Sequence, residues 1–323
     1  MTDLPLKYVL SIQSSVCWGY CGNRSATFPL QLLGYDVSVI HTVQFSNHTG
    51  YGHWRGQTFS GQHLADLYKG LKDNGIFKEY NFLLTGYVPG KEGVESMACI
   101  AKDIKENNPT IGWLLDPVLG DNGRLYVSSD VIPIYKQLLF ICDLITPNQF
   151  EAETLSDKKI SSFETLLTCL KSLHKSYCLK HIVVTSIRFG ADDKELHIIA
   201  SSCKSDYTPR AVKITVPYYD YTLVGTGDLF SALLLARFNE NMKSMTPDDV
   251  SAIHMPLTRA LELVVSSVQD VIKNTISSIK ENYAHLKNQL SKAEMFKLCE
   301  LRVIQSQDFL KNPSSEYKAI ILK

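Results

Sequence analysis

Apolar residues along this chain fall into two rhythms. Short runs such as Tyr8-Val9-Leu10-Ser11-Ile12, Val37-Ser38-Val39-Ile40-His41-Thr42-Val43, Phe82-Leu83-Leu84, Ile111-Gly112-Trp113-Leu114-Leu115, Ile141-Cys142-Asp143-Leu144-Ile145 and His181-Ile182-Val183-Val184-Thr185 read as buried strands. Between them the apolar residues recur at helical spacing. Residues 25–33 predict a helix closed by Gly34. Residues 60–72 carry Leu64, Leu67 and Leu71 on one face, and residues 92–106 carry Val94, Met97, Ala98, Ala101 and Ile104. Helices are also predicted at 149–155, with Glu151 in the first turn, and at 163–175. Strand, turn, helix and strand at this spacing predict an α/β fold of three layers, α/β/α, around a central, mostly parallel sheet. Residues 196–200 and 212–216 read as two antiparallel strands. From about Ser251 the chain reads as helical, with Leu261, Val264, Val265, Val268, Val271 and Ile272 in one stripe. A second helix is expected over 281–290 and a closing strand over 300–306.

One stretch breaks both rhythms. Leu223-Val224 runs into Gly225-Thr226-Gly227-Asp228, and a helical pattern follows at once. The two glycines permit a sharp turn with exposed amides. The helix then starts with free N–H groups and its positive dipole end facing that turn. Such a nest binds anions, phosphates above all. Asp228 stands at its mouth, where a carboxylate can take a proton from an attacking hydroxyl. The helix terminus is expected to favour its charged form. The plainer reading makes Asp228 a cap of its own helix.

Composition narrows the field. Of 323 residues, 45% are hydrophobic and 20% charged, an ordinary globular balance. No linker or repeat divides the chain, so one domain is expected over residues 1–323. Lys plus Arg and Asp plus Glu both number 33, which argues against nucleic-acid or membrane partners. No apolar run approaches the roughly 18 residues of a membrane span. The start, Met1-Thr2-Asp3-Leu4-Pro5, lacks a signal pattern. A cytoplasmic protein is expected, with the nucleus also open to it. The eight cysteines have no zinc-type spacing. Cys99, Cys142, Cys169 and Cys178 are expected inside apolar elements, and Cys17 and Cys21 as small packing residues.

Polar residues recur at successive strand ends: Ser14, Thr49, Asp116, Asp121, Thr146, Asn148, Glu151, Thr185, Ser186 and Asp228. Each alone fits a turn or a cap. Together, Asp116, Asp121 and Glu151 offer hard oxygen ligands suited to Mg²⁺ or another divalent cation. With the anion turn, that describes phosphoryl transfer. Neither a P-loop nor the protein-kinase motifs are present.

These stretches resemble the pyridoxal kinases of the ribokinase-like superfamily. The resemblance runs through Ser11-Ile12-Gln13-Ser14, Gly19-Tyr20, Gly22-Asn23, Ala26-Thr27-Phe28-Pro29-Leu30-Gln31 and Val43-Gln44-Phe45-Ser46-Asn47-His48-Thr49-Gly50-Tyr51. It continues through Thr85-Gly86-Tyr87, Asp116-Pro117-Val118-Leu119-Gly120-Asp121, Thr146-Pro147-Asn148-Gln149-Phe150-Glu151, Gly225-Thr226-Gly227-Asp228 and the tail from Glu300 to Ser306. It implies ATP-dependent phosphorylation of the 5′-hydroxymethyl group of pyridoxal, pyridoxine or pyridoxamine. By resemblance, Ser14 and Thr49 hold the ring's polar groups, while Val43 and Tyr87 line the pocket. Asp228 is the base, and the Gly225 to Gly227 amides hold the transferring phosphoryl. Asp121 and Glu151 orient Mg²⁺. Asp116, Thr146 and Thr185, with a carbonyl near Tyr219, surround a monovalent cation, K⁺ or Na⁺. Asn148, Ser186 and Thr226 contact the triphosphate, and Tyr126 belongs to a flap over ATP. A homodimer is implied as well. Two departures stand out: Ser15 replaces the family's usual His, and the flap Asp121-Asn122-Gly123-Arg124-Leu125-Tyr126 is short. A kinase for another hydroxymethyl heterocycle, such as hydroxymethylpyrimidine, and a non-catalytic vitamer-binding protein are the alternatives.

Overall fold

The computed structural model describes residues 6–190, 192–283 and 290–322. In chain order the elements are β1 (Lys7–Val16), α1 (Asn23–Leu32), β2 (Tyr35–Phe45), β3 (Gly56–Thr58), α2 (Gly61–Asp73), β4 (Tyr80–Thr85) and α3 (Lys91–Asn107). Then come β5 (Gly112–Leu115), β6 (Gly120–Asp121), β7 (Arg124–Leu125), α4 (Ile132–Leu138), β8 (Leu144–Ile145), α5 (Gln149–Ser156) and α6 (Phe163–Tyr177). The chain closes with β9 (His181–Ile187), β10 (Glu195–Cys203), β11 (Pro209–Pro217), α7 (Thr226–Phe238), α8 (Pro256–Tyr283), α9 (Lys292–Leu298), α10 (Gln307–Lys311) and β12 (Ile320–Ile321).

Ten strands form one sheet in the order β12-β11-β10-β9-β8-β5-β4-β1-β2-β3. The inner run from β2 through β1, β4, β5 and β8 to β9 is parallel. The edges are antiparallel: β3 on β2, and β10, β11 and β12 beyond β9. Neighbouring residues on a strand point to opposite faces, and here both faces are apolar. Val9, Leu84, Leu114, Leu144 and Val183 pack on one side with Leu30 of α1, Leu233 of α7 and Val264 of α8. Leu10, Leu83, Leu115, Ile145 and Ile182 pack on the other with Leu64, Met97, Tyr135, Leu155 and Leu170, from α2 through α6. Continuous apolar strands are thus a consequence of burial on both faces. The three-layer arrangement is the one the two rhythms predict.

Several local expectations are corrected. The run from Ile141 contributes only Leu144 and Ile145 to the sheet. The tail 300–306 is not a strand. It makes one isolated bridge, Val224 to Glu300, and then a 3₁₀ turn over Ile304–Ser306. Leu301 and Val303 are buried while Ile304 is exposed, an alternation that imitates a strand without its ladder. The helix expected from Ser251 begins at Pro256, after a 3₁₀ turn at Ala252–His254. Residues 281–283 of the expected second helix belong to α8, and 284–289 lie outside the described residues. Leu67 is 43% exposed and off the core face. All eight cysteines are free, and Cys17, Cys99 and Cys178 are exposed rather than packed inside.

Candidate active site

In a parallel sheet the loops after the strands' carboxyl ends build the ligand crevice. Here β1, β4, β5, β8 and β9 deliver Ser14, Tyr87, Asp116, Thr146, Thr185 and Ser186 to that one edge. Strand β1 runs to Val16, so Ser14 lies within it rather than after it. The β1–β2 register shifts between Gln13 and Ser15, which places Ser14 and Val43 where the ladder is irregular. Ser14 and Val43 are buried, at 9% and 2% exposure. Tyr87 is half-buried and Thr49 exposed, on a 3₁₀ turn over Thr49–Tyr51. Ser15 is 6% exposed, so an imidazole there would require its surroundings to move.

The anion turn is built around Gly225, the residue before the first turn of α7. Its φ is +80°, and a Cβ there would stand 1.7 Å from the Tyr20 carbonyl oxygen. Only glycine fits. Gly227 differs: a Cβ there would meet nothing within 4 Å. Its missing side chain leaves the helix N-terminus open to a ligand. The Ser25 hydroxyl donates to the Gly225 carbonyl at 3.0 Å, tying the turn to α1.

Asp228 does not cap α7, since Gly225 holds the cap position and no side chain caps the helix. The Gly22 amide lies near its carboxylate and favours the charged form. Burial raises its pKa, with that amide pulling the other way. Desolvation thus works against the preference for the charged form expected from the helix terminus.

Asp116 and Glu151 lie close by, and burial raises both. Asp116 also feels the charges of Glu151 and Asp228. The Ser231 hydroxyl, on α7, donates to Asp116 Oδ2 at 3.0 Å and lies 2.9 Å from Thr146 Oγ1. Ser231 escaped the sequence reading because it sits in the apolar run Leu229-Phe230-Ser231-Ala232-Leu233; a lone hydroxyl inside that stripe is its only signal.

Glu151 completes a capping box on α5 with Asn148. Its Oε1 also accepts from the Leu119 and Gly120 amides, at 2.9 and 3.3 Å. Asn148 Nδ2 donates to the Gly120 carbonyl at 2.7 Å. These two side chains therefore fix the base of the flap, the two-stranded hairpin β6–β7. Positive φ at Asn122 and Gly123 makes its turn. The return strand expected at 125–127 is observed as Arg124–Leu125. Tyr126, 59% exposed, hangs from a backbone bond to Leu119. Asp121 is turned onto Asn122. Thr226 and Tyr219 flank the anion turn, Tyr219 half-buried between β11 and α7.

Among the described residues no group of three or more His, Cys, Asp or Glu side chains is placed to hold a metal ion by itself. None of the ion pairs among those residues reaches Asp116, Asp121, Glu151 or Asp228. The crevice thus concentrates acid without a protein cation. That donor set fits Mg²⁺, which keeps waters and is shared with substrate phosphates rather than caged.

Known proteins answer to this geometry. The phosphomethylpyrimidine kinase family model matches residues 88–249. The pyridoxal kinase of Homo sapiens is 35% identical over 328 residues, covering 97% of this chain and 98% of its own. The pyridoxal kinase of Arabidopsis thaliana is 38% identical over 314 residues, covering 96% and 93%. The pyridoxal kinase of Leishmania donovani, solved with ADP and pyridoxamine, superposes with a TM-score of 0.82 at 32% identity, covering 98% of this chain and all of its own. With β1 to β9 presenting one acid-lined edge to the turn at Gly225, the chain belongs to the pyridoxal kinase family.

Proposed function

We propose that this protein phosphorylates the 5′-hydroxymethyl group of pyridoxal, pyridoxine or pyridoxamine with ATP. The observation that carries the reading is Asp228, in the first turn of α7 beside the open N-terminus after Gly225, in a chain of this family. A primary alcohol is a weak nucleophile, and a positioned carboxylate helps as its proton becomes acidic. The alcohol oxygen forms a bond to the γ-phosphorus, the bond to the bridging oxygen of ADP breaks, and the proton passes to Asp228. The Gly225 to Gly227 amides and the α7 dipole stabilise charge on the transferring group.

Ser14, Val43, Thr49 and Tyr87 form the vitamer side. Asn148, Ser186, Thr226 and Tyr126 form the nucleotide side. Asp121 and Glu151, with Asp116 beside them, would hold Mg²⁺, which neutralises phosphate charge when bound. A monovalent cation would sit by Asp116, Thr146, Thr185 and the carbonyls near Tyr219. The acid cluster without a protein cation supports both ions. The whole chain acts as one domain, and a homodimer is the assembly the family supports. No described helix is long and apolar enough to cross a membrane.

The test is ATP-dependent phosphorylation of the three vitamers and of hydroxymethylpyrimidine, run in potassium, sodium and a bulky organic cation at fixed ionic strength. Vitamer turnover well above that of the pyrimidine, and faster in an alkali salt, is expected. Preference for the pyrimidine would move the protein to the neighbouring activity.

A further inference from the structure

Glu300 lies in the tail, outside every role assigned so far, yet it touches three parts of the crevice. Its Oε1 accepts from the Tyr51 hydroxyl at 2.8 Å. Its Oε2 accepts from the Tyr20 amide at 2.9 Å. Its backbone bridges Val224, the residue before the anion turn. Gly19 makes room for it: a Cβ there would stand 2.2 Å from Glu300 Oε1, and φ is +93°. Just upstream, Phe296 of α9 backs the same turn, lying 5.5 Å from the Tyr51 ring and 6.2 Å from the His48 ring. A Cβ on Gly50 would stand 2.4 Å from Phe296.

The chemistry is costly for a simple strut. Glu300 is half-buried, and none of the ion pairs among the described residues includes it. Burial pushes its carboxyl up from the usual range, and the Tyr20 and Tyr51 bonds pull it back. Removing a partly desolvated charge in favour of an apolar contact is often neutral or stabilising. What an apolar residue could not do is fix two donors from two loops at set distances.

We propose that Glu300 is a positioning residue for the vitamer side of the crevice, clamping the Tyr51 turn and the Tyr20 loop in register with the anion turn. This rests on the reading of the protein as a vitamer kinase. The Tyr51 turn carries Thr49, and the Tyr20 carbonyl packs directly against Gly225 of the anion turn. Loosening the clamp therefore disturbs the vitamer before the nucleotide.

Steady-state kinetics on Glu300→Ala, Glu300→Gln and Tyr51→Phe, with both substrates varied, tests this. Glu300→Ala is expected to raise the pyridoxal KM about tenfold, an order set by losing bonds to a charged acceptor, with the ATP KM within about twofold of wild type. Glu300→Gln, which keeps one acceptor, falls between. Tyr51→Phe shifts the same KM by a smaller factor and adds nothing on top of Glu300→Ala. A lowered melting temperature with both KM values unchanged would make Glu300 a stability residue only and overturn the proposal. Equal rises in both KM values would overturn it too. If Glu300→Ala fails to fold, Tyr51→Phe decides: an unchanged pyridoxal KM overturns the clamp. A wild-type protein inactive on all three vitamers overturns the underlying reading first, and the clamp with it.

Discussion

A carboxylate at the third residue of a helix usually serves that helix's free amides. Asp228 makes no cap bond to its own helix; the Gly22 amide lies near its carboxylate, and burial raises its pKa. The positive end of a helix favours a carboxylate's charged form, while desolvation opposes it. The sequence shows the dipole and hides the desolvation, because burial depends on tertiary packing, such as the Tyr20 and Cys21 backbone set against Gly225. Asp228→Asn keeps size and hydrogen bonding but cannot accept the proton. Its kcat should fall on the order of 10²–10⁴, the usual worth of a general base. Both KM values should hold, and the melting temperature should stay level, since a poorly solvated charge is removed. The sign of the pH effect follows from the raised pKa. The base works deprotonated, so wild-type kcat/KM should fall on the acid side, with the limb above the ordinary carboxylate range. A variant within a few-fold of wild type would return Asp228 to an ordinary helix position.

At the level of elements, what was legible was local. The helices of α3 and α6, the Asn122-Gly123 turn and the place of Glu151 in the first turn of α5 each depend on residues a few positions apart, so the sequence displays them. Ser231 and Glu300 depend on partners such as Asp116 and Tyr51, brought close only by the sheet order. The tail's alternating burial at Leu301 and Val303 misled for the same reason: packing against the α8 side, not strand pairing, sets it. His174 on α6 is another residue whose meaning lies in tertiary contact. It is fully buried, with Nδ1 2.7 Å from the Leu179 carbonyl and Nε2 2.8 Å from Ser201 Oγ. Burial lowers its pKa to about 4. The unfolded chain, near 6.5, takes up the proton first. Stability from this residue is therefore complete above about pH 6.5 and is lost as pH falls toward 4. Its size is on the order of 3 kcal/mol. Urea midpoints should drop between about pH 7.5 and pH 5. His174→Gln should be less stable at the higher pH but show a shallower drop, His181 supplying the remainder. An unchanged slope would remove His174 from the account.

The inner strands end on a crevice whose carboxylates form no ion pair among the described residues, while the amides of α7 face it from one side. The folded protein therefore has two complementary charges to satisfy, and a phosphate with its divalent ion satisfies both. Binding confined to the folded state adds stability by mass action, about 2.7 kcal/mol at 100 times Kd. For a chain of this size that is a rise of several degrees in melting temperature. ATP with Mg²⁺ should give that rise, and ATP with a chelator a smaller one. Glu151→Gln separates the structural share of the residue from the ionic one. Gln keeps one acceptor oxygen, so it can serve either the Asn148 amide of the capping box or the Leu119 and Gly120 amides of the flap base, but not both, while the charge near the ion is removed. The Glu151→Gln protein should melt below wild type without ligand, because a buried amide loses its acceptor, and should in addition need several-fold more Mg²⁺ for the same ATP-induced rise and for half-maximal rate. Asp228→Asn should keep the full ATP-induced rise, because its loss is of proton acceptance rather than of nucleotide binding. If Glu151→Gln keeps the wild-type Mg²⁺ dependence in both measurements, Glu151 holds only the flap, and the divalent ion must rest on Asp121 and Asp116.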